Sequence, residues 1–522
     1  IEFTDLSAGS PSEWLWDFGD GTTSSEQNPR HAYALPGDHV VSLTVENQIG
    51  VDIAASDVRV LAIGSPSDWS YLVPAAAHGT GKADTQWRSD LVIDPHVLRG
   101  EAIAYFMKRG QDNSLQPGKR LVLPGGSMRF DDVVANLFGE EDTAGAIWLT
   151  SDTSLGIVSR TYTLSGNGTY GQFIPAVGSW NYDFTGRSTL ILLTQNPEFR
   201  TNLGLVNLDG IGIEITADLR SADDSRLGTA VYTVEPFGHL QIDEFIADLT
   251  DDPVDDAYLT ISASPFDSDY LAYASTVDNI TGDPAFMLPS VESEEPLWIA
   301  AAAHVEGRRG TVWRTDLEVC CAPGANARFH IELLESGRDN SNPPSETFTL
   351  DSGMCARYRD LVRSVFDRST TGAIRVVPES GRVSASSRTF TRTADGGTYG
   401  QSIAAVHDAV VAVHPRTASL IGLSQSAAGN RGFRTNVGLV NASSLVITVH
   451  LEISTHDRIL LDRVTVELQP FEHRQLNRLL HGLTADDLEN AIIKIRTSTD
   501  DARFIAYASV IDNVTGDPVY IR

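Results

Sequence analysis

From about residue 64 onward the chain is written twice, and this repetition constrains its fold more than any single motif does. Ala75-Ala76-Ala77-His78 with Trp87-Arg88-Ser89-Asp90-Leu91 returns as Ala301-Ala302-Ala303-His304 with Trp313-Arg314-Thr315-Asp316-Leu317. Gly110-Gln111-Asp112-Asn113-Ser114 returns as Gly337-Arg338-Asp339-Asn340-Ser341, and Thr169-Tyr170-Gly171-Gln172 as Thr398-Tyr399-Gly400-Gln401. Phe199-Arg200-Thr201-Asn202 returns as Phe433-Arg434-Thr435-Asn436, and Asp278-Asn279-Ile280-Thr281-Gly282-Asp283-Pro284 as Asp512-Asn513-Val514-Thr515-Gly516-Asp517-Pro518. Trp87 and Trp313 are 226 positions apart, whereas Tyr273 and Tyr507 are 234 apart. The second copy has therefore gained a few residues, as surface loops tolerate.

Each copy exceeds the ~100 to 150 residues of a usual domain, and each divides again. An aromatic-Arg-Ser/Thr-Asp/Asn-Leu/Val strand opens all four halves, at Trp87, Phe199, Trp313 and Phe433. The expected domains are 65–180 and 181–290 in the first copy, 291–408 and 409–522 in the second, with a separate one at 1–63. Short β-rich runs separated by turn residues, such as Arg120–Leu123, Ile211–Ile215 and Val446–Ile453, predict an all-β chain. Short helical turns are expected at Asp131–Phe138 and Arg359–Phe366, and again around Ile242–Ile246 and Leu476–Leu480. Linkers are expected at Gly64–Ser67 and Ser290–Pro296.

The first 63 residues carry the most specific motif. Trp14-Leu15-Trp16-Asp17-Phe18-Gly19-Asp20-Gly21-Thr22-Thr23-Ser24 precedes Asn28-Pro29-Arg30-His31-Ala32-Tyr33 and Pro36-Gly37. Strand alternation puts Trp16 and Phe18 on one face, Asp20-Gly21 makes a turn, and Tyr33 can bury its ring while its hydroxyl bonds backbone. These residues resemble the PKD domain, an immunoglobulin-like module of surface proteins, collagenases and chitinases. The resemblance implies an extracellular, bacterial setting. With the repeats it gives the expected fold class: tandem immunoglobulin-like β-sandwich domains, about five, with a few short helices. Family members carry a strand before the segment like Ile1–Ser7. Either the sequence is cut short there, or another chain supplies that strand by edge addition.

Composition narrows the function. Sixty-nine acidic against 39 basic residues give a formal charge of −30, which repels phosphate backbones and anionic lipid. Nucleic acid is excluded as a partner, and no stretch approaches the ~20 apolar residues of a membrane span. The start has no Met and no basic, apolar leader, so any signal peptide or anchor lies outside it. Three cysteines exclude a disulfide scaffold. Cys355 can pair with Cys320 or Cys321 in an oxidising compartment, Cys321–Cys355 being the pairing carried forward, with the other thiol free.

Candidate chemistry is sparse. Arg88 and Asp90, with Arg314 and Asp316, could present a ligand site, but a motif recurring in every half is better read as structural, like Trp16, Asp17, Asp20 and Tyr33. His78, His304, His239 and His473 lack the companions of a metal site and read as core or interface histidines. Asp278 and Asp283, with Asp512 and Asp517, sit in loops with oxygen ligands at alternate positions, as Ca²⁺ loops do, although Asx turns explain the same residues. Asp17 and Asp20 invite the same question. The acidic run Asp248–Asp256 reads as a solvated loop. No Gly-x-Ser-x-Gly, P-loop, His-Glu-x-x-His or Cys/His pair appears in context, so no catalytic residue and no cofactor beyond Ca²⁺ is expected.

The expectation is a non-enzymatic extracellular protein, a subunit of a surface filament, sheath or rod that associates with itself or with other surface proteins. The alternative is an adhesin, or the substrate-binding region of a secreted hydrolase, with a polysaccharide or protein ligand. A row of exposed aromatics including Trp180 and Tyr182 would favour the alternative.

Overall fold

Alternating apolar and polar residues give antiparallel strands throughout the computed structural model. It describes all residues except 32, 34–36, 61–62, 64–68, 83–84, 97–99, 179–183, 308–309, 408–411 and 414–416. Trp180, Tyr182 and the Gly64–Ser67 linker lie outside the described residues. Among the described residues, no helix is long and apolar enough to cross a membrane.

The N-terminal domain is a four-stranded sheet in the order Thr23–Ser24, Glu13–Asp17, Gly37–Glu46, Val51–Val60. Trp16 lies opposite Leu43, and with Phe18, Tyr33 and Val41 they form its core, with Phe3 packed against it. The Tyr33 hydroxyl donates to the Phe18 carbonyl at 3.0 Å, as the motif predicts. Ile1–Ser7, where a foreign strand was one expectation, is met by the chain itself: Glu2 bridges to Arg30, and Phe3 N–H donates to the Pro29 carbonyl at 3.0 Å.

Four β-sandwiches follow, two per repeat. In the first, Trp69–Thr80 joins two layers. Its early residues pair with Thr143–Ser151, and Gly79 and Thr80 turn away to pair with Gln86–Pro95. The third sandwich repeats this layout with Leu297–Glu306 between Thr371–Ser380 and Val312–Cys321. The second and fourth each stack a sheet centred on Phe199–Asn207 or Phe433–Asn441 over one centred on Ile213–Ser221 or Ile447–Ser454. Tyr273 and Tyr507 lie flat across the first of these strands, where a Cβ on Gly204 or Gly438 would come within 1.9 or 2.0 Å of a ring atom. That close approach explains the glycine in both copies of the motif.

Single helical turns occur at Val134–Phe138 and Leu361–Ser364, inside the predicted segments. The turns predicted around Ile242–Ile246 and Leu476–Leu480 are not helical. Glu244 and Arg478 adopt positive φ there, 55° and 51°, which a right-handed helix cannot contain.

The sandwiches are not independent beads. Val206, Leu208, Leu271, Tyr273 and Phe286 of the second complete the core of the first, and Val440, Ala442, Ile505, Tyr507 and Tyr520 of the fourth complete that of the third. The repeats then bind each other. Val92 and Val158 of the first sandwich enter the core of the fourth, while Ile191 and Tyr258 of the second pack on Cys320 and Cys355 of the third. The two junctions match: Ser127 N–H donates to the His456 carbonyl at 2.8 Å, and Cys355 N–H to the Ala222 carbonyl at 2.8 Å. Four sandwiches thus close into a ring with an approximate two-fold relation between repeats.

Candidate functional site

At the centre of this ring each repeat clasps the other through the two aspartate loops. Asp512 Oδ1 accepts the N–H groups of Val514 and Thr515, at 2.7 and 3.1 Å. Its Oδ2 accepts the N–H and hydroxyl of Thr169, both at 2.9 Å, from the opposite repeat. Asp278 makes the same four bonds, with Ile280, Thr281 and the N–H and hydroxyl of Thr398. Thr515 and Thr281 complete the exchange by donating their hydroxyls to the carbonyls of Thr169 and Thr398, at 2.8 and 2.7 Å. Calcium was the alternative for these loops, but all four oxygens of Asp278 and Asp512 already accept protein hydrogens. Asp278, Asp283, Asp512 and Asp517 form an inter-repeat clasp.

Asp283 and Asp517 end these loops, both wholly buried. Asp283 Oδ2 accepts Gly400 N–H at 2.9 Å and Arg388 Nη2 at 3.1 Å; Asp517 Oδ2 accepts Gly171 N–H at 2.8 Å. Neither Oδ1 meets an N–H or O–H group, and each carboxyl group acts on the protonation of the other. Two buried carboxyl groups placed together avoid like-charge repulsion by keeping a proton. Burial pushes Asp283 up to about 7 and Asp517 well above the ordinary carboxylate range. Asp517 has no ion-paired arginine of its own, whereas Arg388 pairs with Asp283. The Tyr170 and Tyr399 rings lie beside the pair, 6.0 Å apart.

The aromatic-Arg strands serve the same junction. Arg388 lies over the ring of Phe199 from the other repeat, 5.5 Å from its centroid, and Arg160 over Phe433 at 5.2 Å. Arg88 and Arg314 do not pair with the aspartates of their own motifs. Arg88 reaches Asp132 at 3.2 Å, beside His78 at 2.8 Å, and Arg314 approaches Asp360 at 3.8 Å, beside His304 at 2.8 Å. Asp90 and Asp316 anchor the chain leading into the helical turns by accepting the N–H of Asp132 and Asp360, at 3.0 and 2.8 Å. His239 and His473 stand at the joints within each repeat, their Nε2 2.9 Å from the hydroxyls of Tyr273 and Tyr507. Burial pulls them down to about 3 and about 4, so both are neutral. In the N-terminal domain Asp17 and Asp20 cap the turn: Asp17 accepts Gly19 N–H at 2.9 Å, and Asp20 accepts from Thr22 and lies 2.7 Å from His31.

Two expectations need correction. The disulfide is Cys320–Cys355, not Cys321–Cys355, and Cys321 is the free thiol, buried. Cys320 stands opposite Cys355 in strand register, so its side chain shares that face while Cys321 points into the core. The acidic run is only partly a solvated loop. Asp256 holds Arg357 at 3.0 Å and Arg359 at 2.9 Å across the second and third sandwiches. Arg357 also bonds the wholly buried Glu318, at 2.8 Å. Among the described residues, only Glu318, Cys320 and Cys355 bring three metal-type ligand groups together, and two of these are the disulfide.

A feature that motif reading missed is a cleft of about 1040 Å³ between the first and second sandwiches. Small residues floor it, Ala76, Gly79, Ala144 and Gly145, and Trp87, Arg109, Gln172, Arg200, Asn202 and Gln241 line it. An ion pair between Lys82 and Glu244 spans it. The lining carries both charge signs, amides and an indole, chemistry suited to a polar polymer segment. No contiguous signal marks the cleft, because its walls come from strands that only the interdomain packing brings together.

Comparison with known proteins concerns the N-terminal domain. A family model, PKD domain, matches residues 1–61. Collagenase ColA of Bacillus cereus is 54% identical over 37 residues, 7% of this chain and 4% of that protein. Microbial collagenase of Vibrio alginolyticus is 42% identical over 48 residues, 9% of this chain and 6% of that protein. Both matches fall on the PKD region. Dimeric latent PorU of Porphyromonas gingivalis aligns with 67% of this chain and 35% of its own, at 10% identity and a TM-score of 0.12, too low to bear on the fold.

Proposed function

We propose that this chain, whose residues 1–61 are a PKD domain, is a non-catalytic extracellular region that binds a polymer and holds it for a partner activity. The observation that carries this reading is the cleft between the first and second sandwiches. The closed ring keeps both of its walls fixed, so binding would lose little to ordering the site. PKD domains are non-catalytic, and the matched relatives are named collagenases, which makes collagen the first polymer to try. The Cys320–Cys355 disulfide suits an oxidising compartment. The test is retention of the full chain on fibrillar collagen, gelatin, chitin and cellulose. Retention on one polymer, weakened about ten-fold by Trp87→Ala or Arg200→Ala, supports the reading. Passage through all four unretained, or retention indifferent to both substitutions, refutes it.

One observation favours a second reading, a subunit that assembles by strand addition. Val51–Val60 is an edge strand of the PKD sheet, and residues 51–57 are exposed on both of its faces. Electron microscopy separates the two, because strand addition yields filaments and a binding region yields single particles.

A further inference from the structure

We infer that the buried Asp283–Asp517 pair is a proton-operated latch between the two repeats: one shared proton holds the central clasp shut, and its loss loosens it. Four observations carry this. Both carboxyl groups are wholly buried. Each comes from a different repeat, at the end of the loop that grips the other repeat. Their Oδ1 atoms are both buried and without a hydrogen-bond donor. Each Oδ2 is fixed by a backbone N–H of the opposite repeat, Gly400 or Gly171, so the carboxyl groups cannot turn apart without breaking the clasp.

The charged and titratable surroundings do not replace the proton. Arg388 compensates Asp283 directly, at 3.1 Å. Arg160 faces Asp517 without a hydrogen bond to it, and spends its Nη2 on the Thr169 hydroxyl at 2.7 Å. Tyr170 stays neutral beside the pair, pushed up to about 12 by burial and by the aspartates. Asp278 and Asp512, at the far ends of the same loops, and Asp395 nearby add only negative charge. With the proton gone, two carboxylates share a buried site with one directly bonded arginine. Repulsion then acts along the line that joins the repeats.

The sign follows from linkage. The pair binds its proton in the closed form at a pH where free carboxylates have lost theirs, so closure takes up one proton. The latch is fully effective below the ordinary carboxylate range and loses up to about ten-fold in its closing equilibrium per pH unit as pH rises through its own titration. His239 and His473 work in the opposite sense, but only below the ordinary histidine value, so neutral to mildly alkaline pH isolates the latch.

Hydrogen exchange by mass spectrometry on the whole chain tests this through the Thr169–Gly171 and Thr398–Gly400 amides, corrected for intrinsic rates. Protection there should fall several-fold as pH is raised from neutral through the pair's own titration while the strand Ile447–Ser454 stays constant. Asp517→Asn supplies a permanent N–H donor to Asp283 and should make both segments insensitive to pH. A flat wild-type profile overturns the inference without any need of the variant, as does an Asp517→Asn profile that still falls. Millimolar calcium restoring the protection at the alkaline end would also overturn it, by showing a cation site in place of a proton site.

Discussion

Substituting Asp512 by Ala removes the acceptor for four hydrogen bonds at once, two within its loop and two from Thr169 of the other repeat. The site is buried, with Asp512 3% exposed, so the abandoned donors find water only by loosening the loop. A hydrogen bond to a charged group contributes roughly 1.5 to 3 kcal/mol, and four sharing one carboxylate do not add. Breaking a buried charged partnership costs about 3 to 5 kcal/mol, which is the expected loss. Because the chain has several domains, urea unfolding followed by tryptophan fluorescence should be read as the shift of its first transition. Asp267→Ala, at an exposed position, is the control and should shift nothing. The approximate two-fold relation makes a further demand: Asp278→Ala should cost the same, and the double variant less than the sum, because either change alone releases the shared clasp. A loss below about 1 kcal/mol for Asp512→Ala, or strict additivity of the two, would refute the clasp as a single cooperative element.

Trp16→Ala should destabilise the N-terminal domain by about 3 to 5 kcal/mol in denaturant titration, since Trp16 centres its small core; a loss below about 1 kcal/mol contradicts that placement. Under non-reducing conditions iodoacetamide should label the chain once, at Cys321, and only after denaturation. Peptide mapping that finds Cys320 or Cys355 labelled refutes the pairing. Removing the disulfide by Cys355→Ser should cost roughly 2 to 4 kcal/mol, read as a lower unfolding midpoint. His239 and His473 are held neutral with depressed values, so their contribution is complete above the ordinary histidine value and is lost as pH falls towards about 3 and about 4, respectively. His239→Gln should therefore flatten the acid side of the stability profile measured by thermal unfolding; an unchanged acid limb contradicts the neutral form.

The duplication, the strands and the PKD motif were legible because each is written in contiguous residues. The clasp was not, since the Asp278 loop reads by itself as an Asx turn or a calcium loop, and its partner Thr398 lies in the other repeat. A clue was available: Thr-Tyr-Gly-Gln and Asp-Asn-x-Thr-Gly-Asp-Pro persist in both copies, as two halves of one contact must. The cysteine pairing turned on strand parity, which the sequence leaves open by one residue. The turns at Glu244 and Arg478 looked helical by pattern, but their positive φ is set by the loop's docking: Glu244 N–H bonds the Asn202 side chain, and Arg478 N–H that of Asn436.

Each repeat carries both halves of the clasp, so a single repeat is formally able to pair with a second copy of itself, and the junctions decide whether it does. Asp94, 1% exposed, meets Arg458 where the first sandwich joins the fourth. At the other junction the matching positions are Cys320 and Asp224, and there Asp224 turns to Arg220 and Tyr258 of its own sandwich. Two first repeats would set Asp94 against Asp224 at both junctions, burying like charges at a cost of several kcal/mol. Residues 61–290 and 291–522, made as separate chains cut before the exposed Val291, should therefore form a one-to-one complex. Residues 61–290 alone should stay monomeric, and Asp224→Arg, which restores the Arg458 pairing, should let them dimerise. Light scattering on the eluting species measures this directly. A wild-type first repeat that dimerises as readily as the mixture associates would show that these charges do not choose the partner.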